Sequence, residues 1–324
     1  MKNSDMKILC PGIERNDTGG GSTFLKNFQK AIQPLGYRCV SEGEYDVLLI
    51  AGASLVSREQ VGDAVAKRKP IVLRVDNILE DKKNRNGGMP KMQEYAHVAD
   101  VVVYQSAWAK RMLMPILKKD GIVIYNGVDT DIFFPEMRKR EVSEEHRFFY
   151  SKFSRGEGKN VNVVQQWWRE HSLYRPQDLL RITGQFADDN FQVNHPFEFH
   201  NKEKFEYGGV VKSQEAMAEE MRDCEAAILP YFSDACSNTI LEAQACGLYV
   251  IFDASGGTPE IIFPGMGEEK KMDIFSPKND LVRRIDEARE HFNFEEFKNK
   301  YSLEKMGRAY HGVMVMVTSN FHEM

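Results

Sequence analysis

Short apolar runs alternate with amphipathic stretches along most of the chain. In the first half the runs 7–10, 46–51, 71–75, 101–105 and 122–125 are rich in Val, Ile and Leu at successive positions. Apolar side chains at both parities predict strands covered on both faces, the habit of a parallel sheet. Residues 22–33 and 106–117 between them carry helical periodicity. Strand alternating with helix predicts right-handed crossovers and a doubly wound α/β sheet. The pattern then restarts, with strands at 147–151, 179–183, 197–199, 226–230 and 249–253 and helices at 161–170, 213–224 and 239–246. Residues 279–321 read as helix throughout, without a strand. A polar stretch, 136–146, follows Phe133-Phe134-Pro135 and marks a boundary. Two doubly wound domains facing across a cleft are therefore expected, one over 1–140 and one over 141–304. The terminal helix, about 305–324, is expected to pack back on the first. Ligands belong at the carboxyl edges of such sheets.

Composition narrows the class without changing this picture. The 324 residues suit two ordinary domains, and 42% hydrophobic with 28% charged residues is the balance of a globular chain, not a disordered one. Cys10, Cys39, Cys224, Cys236 and Cys246 are scattered, with no CxxC pair and no zinc spacing. They predict buried, reduced thiols in a cytoplasmic protein, with no metal site. No run approaches the ~18 apolar residues of a membrane span, and the short apolar run before Pro11 does not make a signal peptide. The net charge of −5 argues against a general nucleic-acid binder. Its distribution is uneven: residues 1–140 hold 22 Lys and Arg against 17 Asp and Glu, and the remainder holds 21 against 31. A basic half and an acidic half point to an anionic partner for the first domain.

The most informative chemistry lies in 230–247. An apolar strand ends at Pro230, a polar loop carries Asp234, and a helix beginning near Ser237 or Asn238 ends at Gly247. A helix N-terminus at the carboxyl end of a strand offers free N–H groups and a positive dipole end to a phosphate. Glu242 sits one turn inside an otherwise small and apolar helix, where a carboxylate can accept from ribose hydroxyls. A capped core helix with one exposed glutamate fits the same local pattern. The next strand leads into Gly256-Gly257-Thr-Pro-Glu260, where the glycines permit close backbone approach, Thr258 can cap and Pro259 suits a first helical turn. Two adjacent strand–loop–helix turns thus present N–H groups to one crevice.

Two acids separated by seven residues, Asp234 and Glu242, then Ala243-Gln-Ala-Cys-Gly247, then the Gly-Gly-x-x-Glu loop, together resemble the retaining glycosyltransferases of the GT-B fold. This is the large family four, or group one, type that includes sucrose synthases and bacterial mannosyltransferases. The resemblance implies two Rossmann-like domains, an N-terminal acceptor domain and a C-terminal nucleotide-sugar donor domain, and a metal-independent enzyme whose donor is a nucleoside diphosphate sugar, a UDP-sugar by preference. It implies that Asp234 contacts the sugar, that Glu242 holds ribose, and that Ser237, Asn238, Thr239, Gly256 and Gly257 bind the donor through the backbone. The first acid is usually Glu, and the shorter Asp234 puts sugar identity in question. The loop 153–160 resembles the one carrying an Arg and a Lys over the donor diphosphate; Arg155 and Lys159 match, with Lys152 as a substitute for either. Paired cations there stabilise the charge that develops as the glycosidic bond breaks.

In the first half, the glycine loop 17–23 resembles one that reaches the donor phosphates, through Gly20 and Gly21. It is not a GxGxxG dinucleotide fingerprint. Residues 123–135, with Asn126-Gly-Val-Asp129, resemble the segment closing the first domain. Asp129-Thr-Asp131 spells DxD, the metal triplet of the other main glycosyltransferase fold, but it stands at a domain exit and not at a donor site. Relatives often place a histidine at the end of the strand 71–75; here Arg74 and Asp76 stand there. Transfer by front-face attack assisted by the leaving phosphate dispenses with that base. The loop after Asp76 carries Lys82, Lys83, Arg85 and Lys91. With Arg74 and Asp76 these are the acceptor candidates, for DNA, a phosphorylated carrier or a membrane-surface acceptor, against the plain alternative of a solvated basic loop. Lys110-Arg111 and Lys118-Lys119 flank the apolar stretch 112–117, which reads as an ordinary amphipathic helix or as a dock for an enzyme peripheral to a membrane. The expected activity is hexosyl transfer. The rivals are a DNA glycosyltransferase acting on a hydroxymethylated base, a nucleotide-sugar epimerase on the same fold, and a degenerate nucleotide-sugar-binding protein.

Overall fold

The computed structural model describes residues 6–15, 20–75, 88–136, 145–152, 160–184, 204–269 and 278–322. The chain forms two compact units. The first holds Met1–Gly127, Asp234–Ser237 and Tyr301–Met324; the second holds Val128–Ser233 and Asn238–Lys300. The chain leaves the first unit at Gly127, ahead of the polar stretch that marks the boundary in the sequence.

The first unit is built on strands β1 (Met6–Leu9), β2 (Tyr37–Val40), β3 (Val47–Ile50), β4 (Ile71–Val75), β5 (Val101–Tyr104) and β6 (Ile122–Val123). They pair in the order β2-β1-β3-β4-β5-β6, every pair parallel. The helices are α1 (Gly20–Ile32), α2 (Arg58–Ala66), α3 (Gly88–Val98) and α4 (Ala107–Leu117), joined from the far end of the chain by α11 (Leu303–His322). Side chains of successive strand residues point to opposite faces, and the core divides accordingly. Ile8, Val47 and Leu49 pack with α1 and α11, while Leu9, Leu48 and Ile50 pack with α2, α3 and α4. Ser57 caps α2 in a reciprocal box with Gln60, and Ser106 caps α4 by accepting from the Ala109 N–H. The α1–α11 crossing is close: a Cβ at Gly307 would stand 2.4 Å from the Ala31 carbonyl oxygen. On α4, Ala109, Leu113 and Leu117 are buried, while Met112, Met114 and Ile116 face outward.

The second unit has strands β7 (Arg147–Lys152), β8 (Leu179–Gly184), β9 (Lys204–Tyr207), β10 (Ala226–Leu229), β11 (Tyr249–Phe252) and β12 (Gly267–Glu269), in the parallel order β12-β11-β10-β7-β8-β9. Its helices are α5 (Val161–Tyr174), α6 (Gln214–Arg222), α7 (Asn238–Ala245), α8 (Thr258–Ile261), α9 (Lys278–Glu290) and α10 (Phe294–Tyr301). The chain winds from β7 outward to β9, then returns to the other side of β7 with β10. That reversal makes the carboxyl ends of β7 and β10 the topological switch point, the place where open α/β sheets take ligands.

Both units are thus parallel-sheet, Rossmann-like α/β domains. Three strands go unread in the hydrophobic pattern: β2, β9 and β12. All three are sheet edges with polar, partly exposed residues, so they lack the apolar runs that mark the interior strands. The expected strand at 197–199 lies outside the described residues. The expected continuous helix 279–321 is three helices, interrupted at 291–293 and at Ser302.

Candidate functional site

In the second unit the loops leaving β7 and β10 are bonded to each other at the switch point. The Tyr231 hydroxyl donates to the Ser151 carbonyl at 2.7 Å, and Asn160, just ahead of α5, donates from Nδ2 to the Pro230 carbonyl at 2.6 Å. Ser233 adopts a left-handed φ of 51°, and its N–H donates to Ser255 Oγ at 3.1 Å. Ser255 in turn donates its N–H to Asp253 Oδ1 at 2.8 Å. The loops after β10 and β11 are therefore latched together. Gly256 is buried with φ of 86°, a conformation that excludes a side chain without strain; Gly257 precedes α8, with Pro259 in its first turn.

Helix α7 carries the central carboxylate. Every residue from Ile240 to Ala245 is buried, and Glu242 is only 8% exposed. Burying a carboxylate is costly unless it is paired or hydrogen-bonded, so the alternative of a core helix with one exposed glutamate does not hold. Asn238 and Thr239 open the helix and remain partly exposed. Gln244, which sequence reasoning passed over, fastens α7 to the end of α8. Its Nε2 donates to the Ile261 carbonyl at 3.0 Å and its Oε1 accepts from the Phe263 N–H at 2.7 Å. Arg155 and Lys159 lie outside the described residues, as does the side chain of Lys152.

Asp234–Ser237 belongs to the first unit, although in sequence it stands apart from both Met1–Gly127 and Tyr301–Met324. Asp234 Oδ1 accepts from the Cys236 N–H at 3.2 Å, closing a tight side-chain turn, and Ser237 is buried just ahead of α7. Asn126, quoted in the sequence motif but given no role there, holds this turn. Its Nδ2 donates to the Cys236 carbonyl at 2.9 Å. Arg74, expected at the acceptor, lies in the interior at 3% exposure. It donates to the Ala51 carbonyl at 2.9 Å, Gln105 Oε1 at 2.6 Å and Asn126 Oδ1 at 3.0 Å. The other acceptor candidates, Asp76, Lys82, Lys83 and Arg85, lie outside the described residues.

Gly20 and Gly21 open α1, and a Cβ on Gly21 would meet Leu55 at 3.3 Å. Beside them, at the first sheet's own switch point between β1 and β3, a cavity of about 350 Å³ is lined by Gly12, Arg15, Ser41, Ser54 and Lys91 among others. Burial, and then the charge of Arg58, pull the Lys91 ammonium below its ordinary pKa. Asp129, in the second unit, accepts the Asp131 N–H on Oδ1 and the Phe133 N–H on its carbonyl, so the DxD triplet forms a turn. Among the described residues no group of three or more His, Cys, Asp or Glu could hold a metal ion.

Residues 148–290 match the family described as Glycosyl transferases group 1. No curated protein matches the chain by sequence. Similar solved structures include HepE from Anabaena in complex with UDP, at TM-score 0.69 and 13% identity over 96% of this chain and 100% of that one. Sucrose-phosphate synthase from Thermosynechococcus elongatus is similar at TM-score 0.72 and 13% identity, over 98% and 100%. A glycosyltransferase from Rickettsia africae is similar at 0.64 and 15%, over 99% and 100%. The fold is GT-B, and the match to the group 1 family is confined to residues 148–290.

Proposed function

We propose that this chain, with its group 1 glycosyltransferase domain, is a retaining hexosyltransferase that takes a sugar from a nucleoside diphosphate sugar and passes it to an anionic acceptor. The observation that carries the reading is the buried carboxylate of Glu242 on α7, the helix that follows β10 in the second unit. A buried acid one turn into a helix suits the ribose hydroxyls of a donor whose phosphates meet the helix N–H groups. UDP is the preferred nucleotide; the similarity to UDP-bound HepE along its whole length supports that choice. Asp234 contacts the donor sugar, and Ser237, Asn238, Thr239, Gly256 and Gly257 supply backbone contacts. Arg155 and Lys159 neutralise the diphosphate, so no metal is required. The bond between the anomeric carbon and the diphosphate oxygen breaks, the acceptor oxygen attaches on the same face, and its proton passes to the leaving phosphate.

The anionic acceptor is supported by the cationic surplus of residues 1–140 and by Arg15 and Lys91 in the first unit's cavity. A membrane-surface acceptor is favoured over DNA by one observation. On α4, Met112 and Ile116 stand 49% and 43% exposed between Arg111 and Lys118, the arrangement of an interfacial helix on a cytoplasmic enzyme. No helix among the described residues is long and apolar enough to cross a membrane.

A thermal-shift screen with UDP-, GDP- and ADP-sugars tests the donor. A ligand at about 100 times its Kd adds about 2.7 kcal/mol, so the UDP-sugar arm is expected to raise Tm most. Glu242→Ala and Lys159→Ala are each expected to lower turnover by about 100-fold or more while the fold persists, and EDTA to leave turnover unchanged. Near-normal rates in both variants refute the site. A new sugar nucleotide formed without acceptor establishes the epimerase instead, and donor binding without hydrolysis or transfer establishes the degenerate binder. Binding to duplex DNA that weakens steeply with salt would restore the DNA acceptor.

A further inference from the structure

We infer that Arg74 and Asn126 are positioning residues for Asp234, through a buried hydrogen-bond relay from β4 to the Asp234–Ser237 turn. The inference rests on the reading of Asp234 as a donor-sugar contact, and it gives Arg74 a role in place of the acceptor contact expected from sequence.

The relay starts with a group that can only donate. The Arg74 guanidinium lies 3.7 Å from the centre of the Phe24 ring and donates to three oxygens in different directions: the Ala51 carbonyl, Gln105 Oε1 and Asn126 Oδ1. Because the guanidinium has no acceptor, the Asn126 atom facing it at 3.0 Å is the amide oxygen. That choice fixes the other end of the amide. Asn126 Nδ2 is turned away from Arg74, donating to Gln105 Oε1 at 3.1 Å and to the Cys236 carbonyl at 2.9 Å. Gln105 is locked in the same way: its Oε1 receives both neighbours and its Nε2 donates to the Val75 carbonyl at 2.8 Å.

The far end of the relay is equally constrained. The Asn126 N–H donates to Cys236 Sγ at 3.4 Å, so residue 126 holds Cys236 by both carbonyl and thiol. Cys236 is the residue whose N–H closes the turn on Asp234 Oδ1. The backbone beside Asn126 is pinned from two sides. The Gly127 carbonyl accepts from Asn27 Nδ2 at 3.2 Å, and the Gly127 N–H meets Met306 Sδ at 3.1 Å. A Cβ on Gly127 would stand 2.9 Å from the Ser302 carbonyl, so only glycine admits this approach. Asn126 is thus a rigid post, and the Asp234 turn is attached to it.

A buried polar cluster of this kind adds little net stability, since apolar side chains of matching shape serve a core as well or better. What the polar cluster supplies is direction: one carbonyl and one thiol held at a fixed point, 110 residues away in sequence. The consequence for chemistry is the placement of Asp234.

Asn126→Asp separates positioning from folding. It keeps the oxygen that Arg74 requires, and strengthens that contact with a charge, but removes the donor to Cys236 and faces its carbonyl with a second oxygen. The wild-type and variant chains are compared by circular dichroism, by alkylation of Cys236 with iodoacetamide read by peptide mass spectrometry, by UDP binding, and by turnover with the UDP-sugar that the thermal screen selects. Cys224 and Cys246, buried in the second unit, are internal controls. We expect native dichroism, Cys236 alkylation faster by about tenfold or more as the turn opens, UDP affinity within about threefold, and kcat lower by about 100-fold, the scale of an ångström's misplacement. Wild-type alkylation, or faster alkylation with unchanged kcat, overturns the inference. If Asn126→Asp does not fold, Asn126→Ser decides on the same readouts, since its side chain is too short to reach Cys236 and brings no charge. A wild-type chain without turnover on any donor refutes the proposed function, while the alkylation comparison still decides whether the relay holds the turn.

Discussion

Asp178 has no exposed side-chain surface, yet it is surrounded by donors. His171 Nε2 lies 2.8 Å from one carboxylate oxygen, Arg175 donates to both at 3.2 Å, and the His146 N–H donates at 2.9 Å. The His171 ring is stacked on Trp167 at 5.0 Å and on Trp168 at 5.2 Å, so the partner has little room to move away. Burial pushes the Asp178 carboxyl up, but the hydrogen bonds from His171, Arg175 and the His146 amide outweigh it and hold the group below the ordinary aspartate value. The sign of the linkage follows. A depressed folded pKa contributes stability that is complete above the unfolded value, about 3.9, and is lost as pH falls through the folded value. Melting temperature measured from pH 6 to pH 2.5 is expected to drop in that acid window, and to drop less in Asp178→Asn, whose side chain has no proton to gain. Asp178→Ala is expected to cost about 3–5 kcal/mol at neutral pH, because it strands buried donors. Equal acid slopes for wild type and Asp178→Asn would show that other carboxylates carry the dependence.

At the scale of elements, α11 shows how a helix from the chain's end becomes part of the first unit. Its buried face, Met306, Tyr310, Val313, Met314 and Val317, shares a core with Phe24, Phe28 and Ile32 of α1. The Phe28 and Tyr310 rings meet edge-on at 5.1 Å. Two glycines on α11 separate helix propensity from packing. Gly312 has open space where a Cβ would go, so Gly312→Ala is expected to stabilise by about 0.4–1 kcal/mol. At Gly307 the same gain is opposed by the Ala31 carbonyl at 2.4 Å. Backbone cannot step aside as a flexible side chain would, so Gly307→Ala is expected to lose about 1–3 kcal/mol. Chemical denaturation of the two variants checks the contrast, and a shift of the same sign in both would refute it. The same distinction sets what the sequence made legible. Interior strands such as β3 and β10 announce themselves because both faces are buried and every residue is apolar. Edge strands such as β9, Lys-Phe-Glu-Tyr with alternate residues exposed, look like any polar loop. Asp234 and Glu242 could be singled out in the sequence because their spacing is local. Arg74 was misplaced because its partners, Ala51, Gln105 and Asn126, come from three other parts of the chain, and no local pattern records them.

For the whole molecule, the important fact is that the first unit is assembled from three separated segments of chain while the second unit occupies most of what lies between. Residues 1–127 hold all six strands of the first sheet, so a division near residue 140 captures the sheet but only part of the core that covers one face of it. Deleting residues 302–324 removes five buried side chains of that core, Met306, Tyr310, Val313, Met314 and Val317. At roughly 1.5–3 kcal/mol for each large apolar side chain, the loss is comparable to the roughly 5–15 kcal/mol that keeps an ordinary domain folded. Gly127 and Asn27 also lose the support of Met306 and its neighbours, and with them the post that holds Cys236. The second unit loses none of its own segments, since its chain ends at Lys300. Hydrogen exchange on the truncated chain is therefore expected to show protection collapsing in β1 to β6 and persisting in β7, β8, β10 and β11. Uniform loss across both sheets would mean that the units fold as one cooperative body. Unchanged protection in β1 to β6 would mean that α11 adds nothing to the first unit's stability, against the buried area it covers.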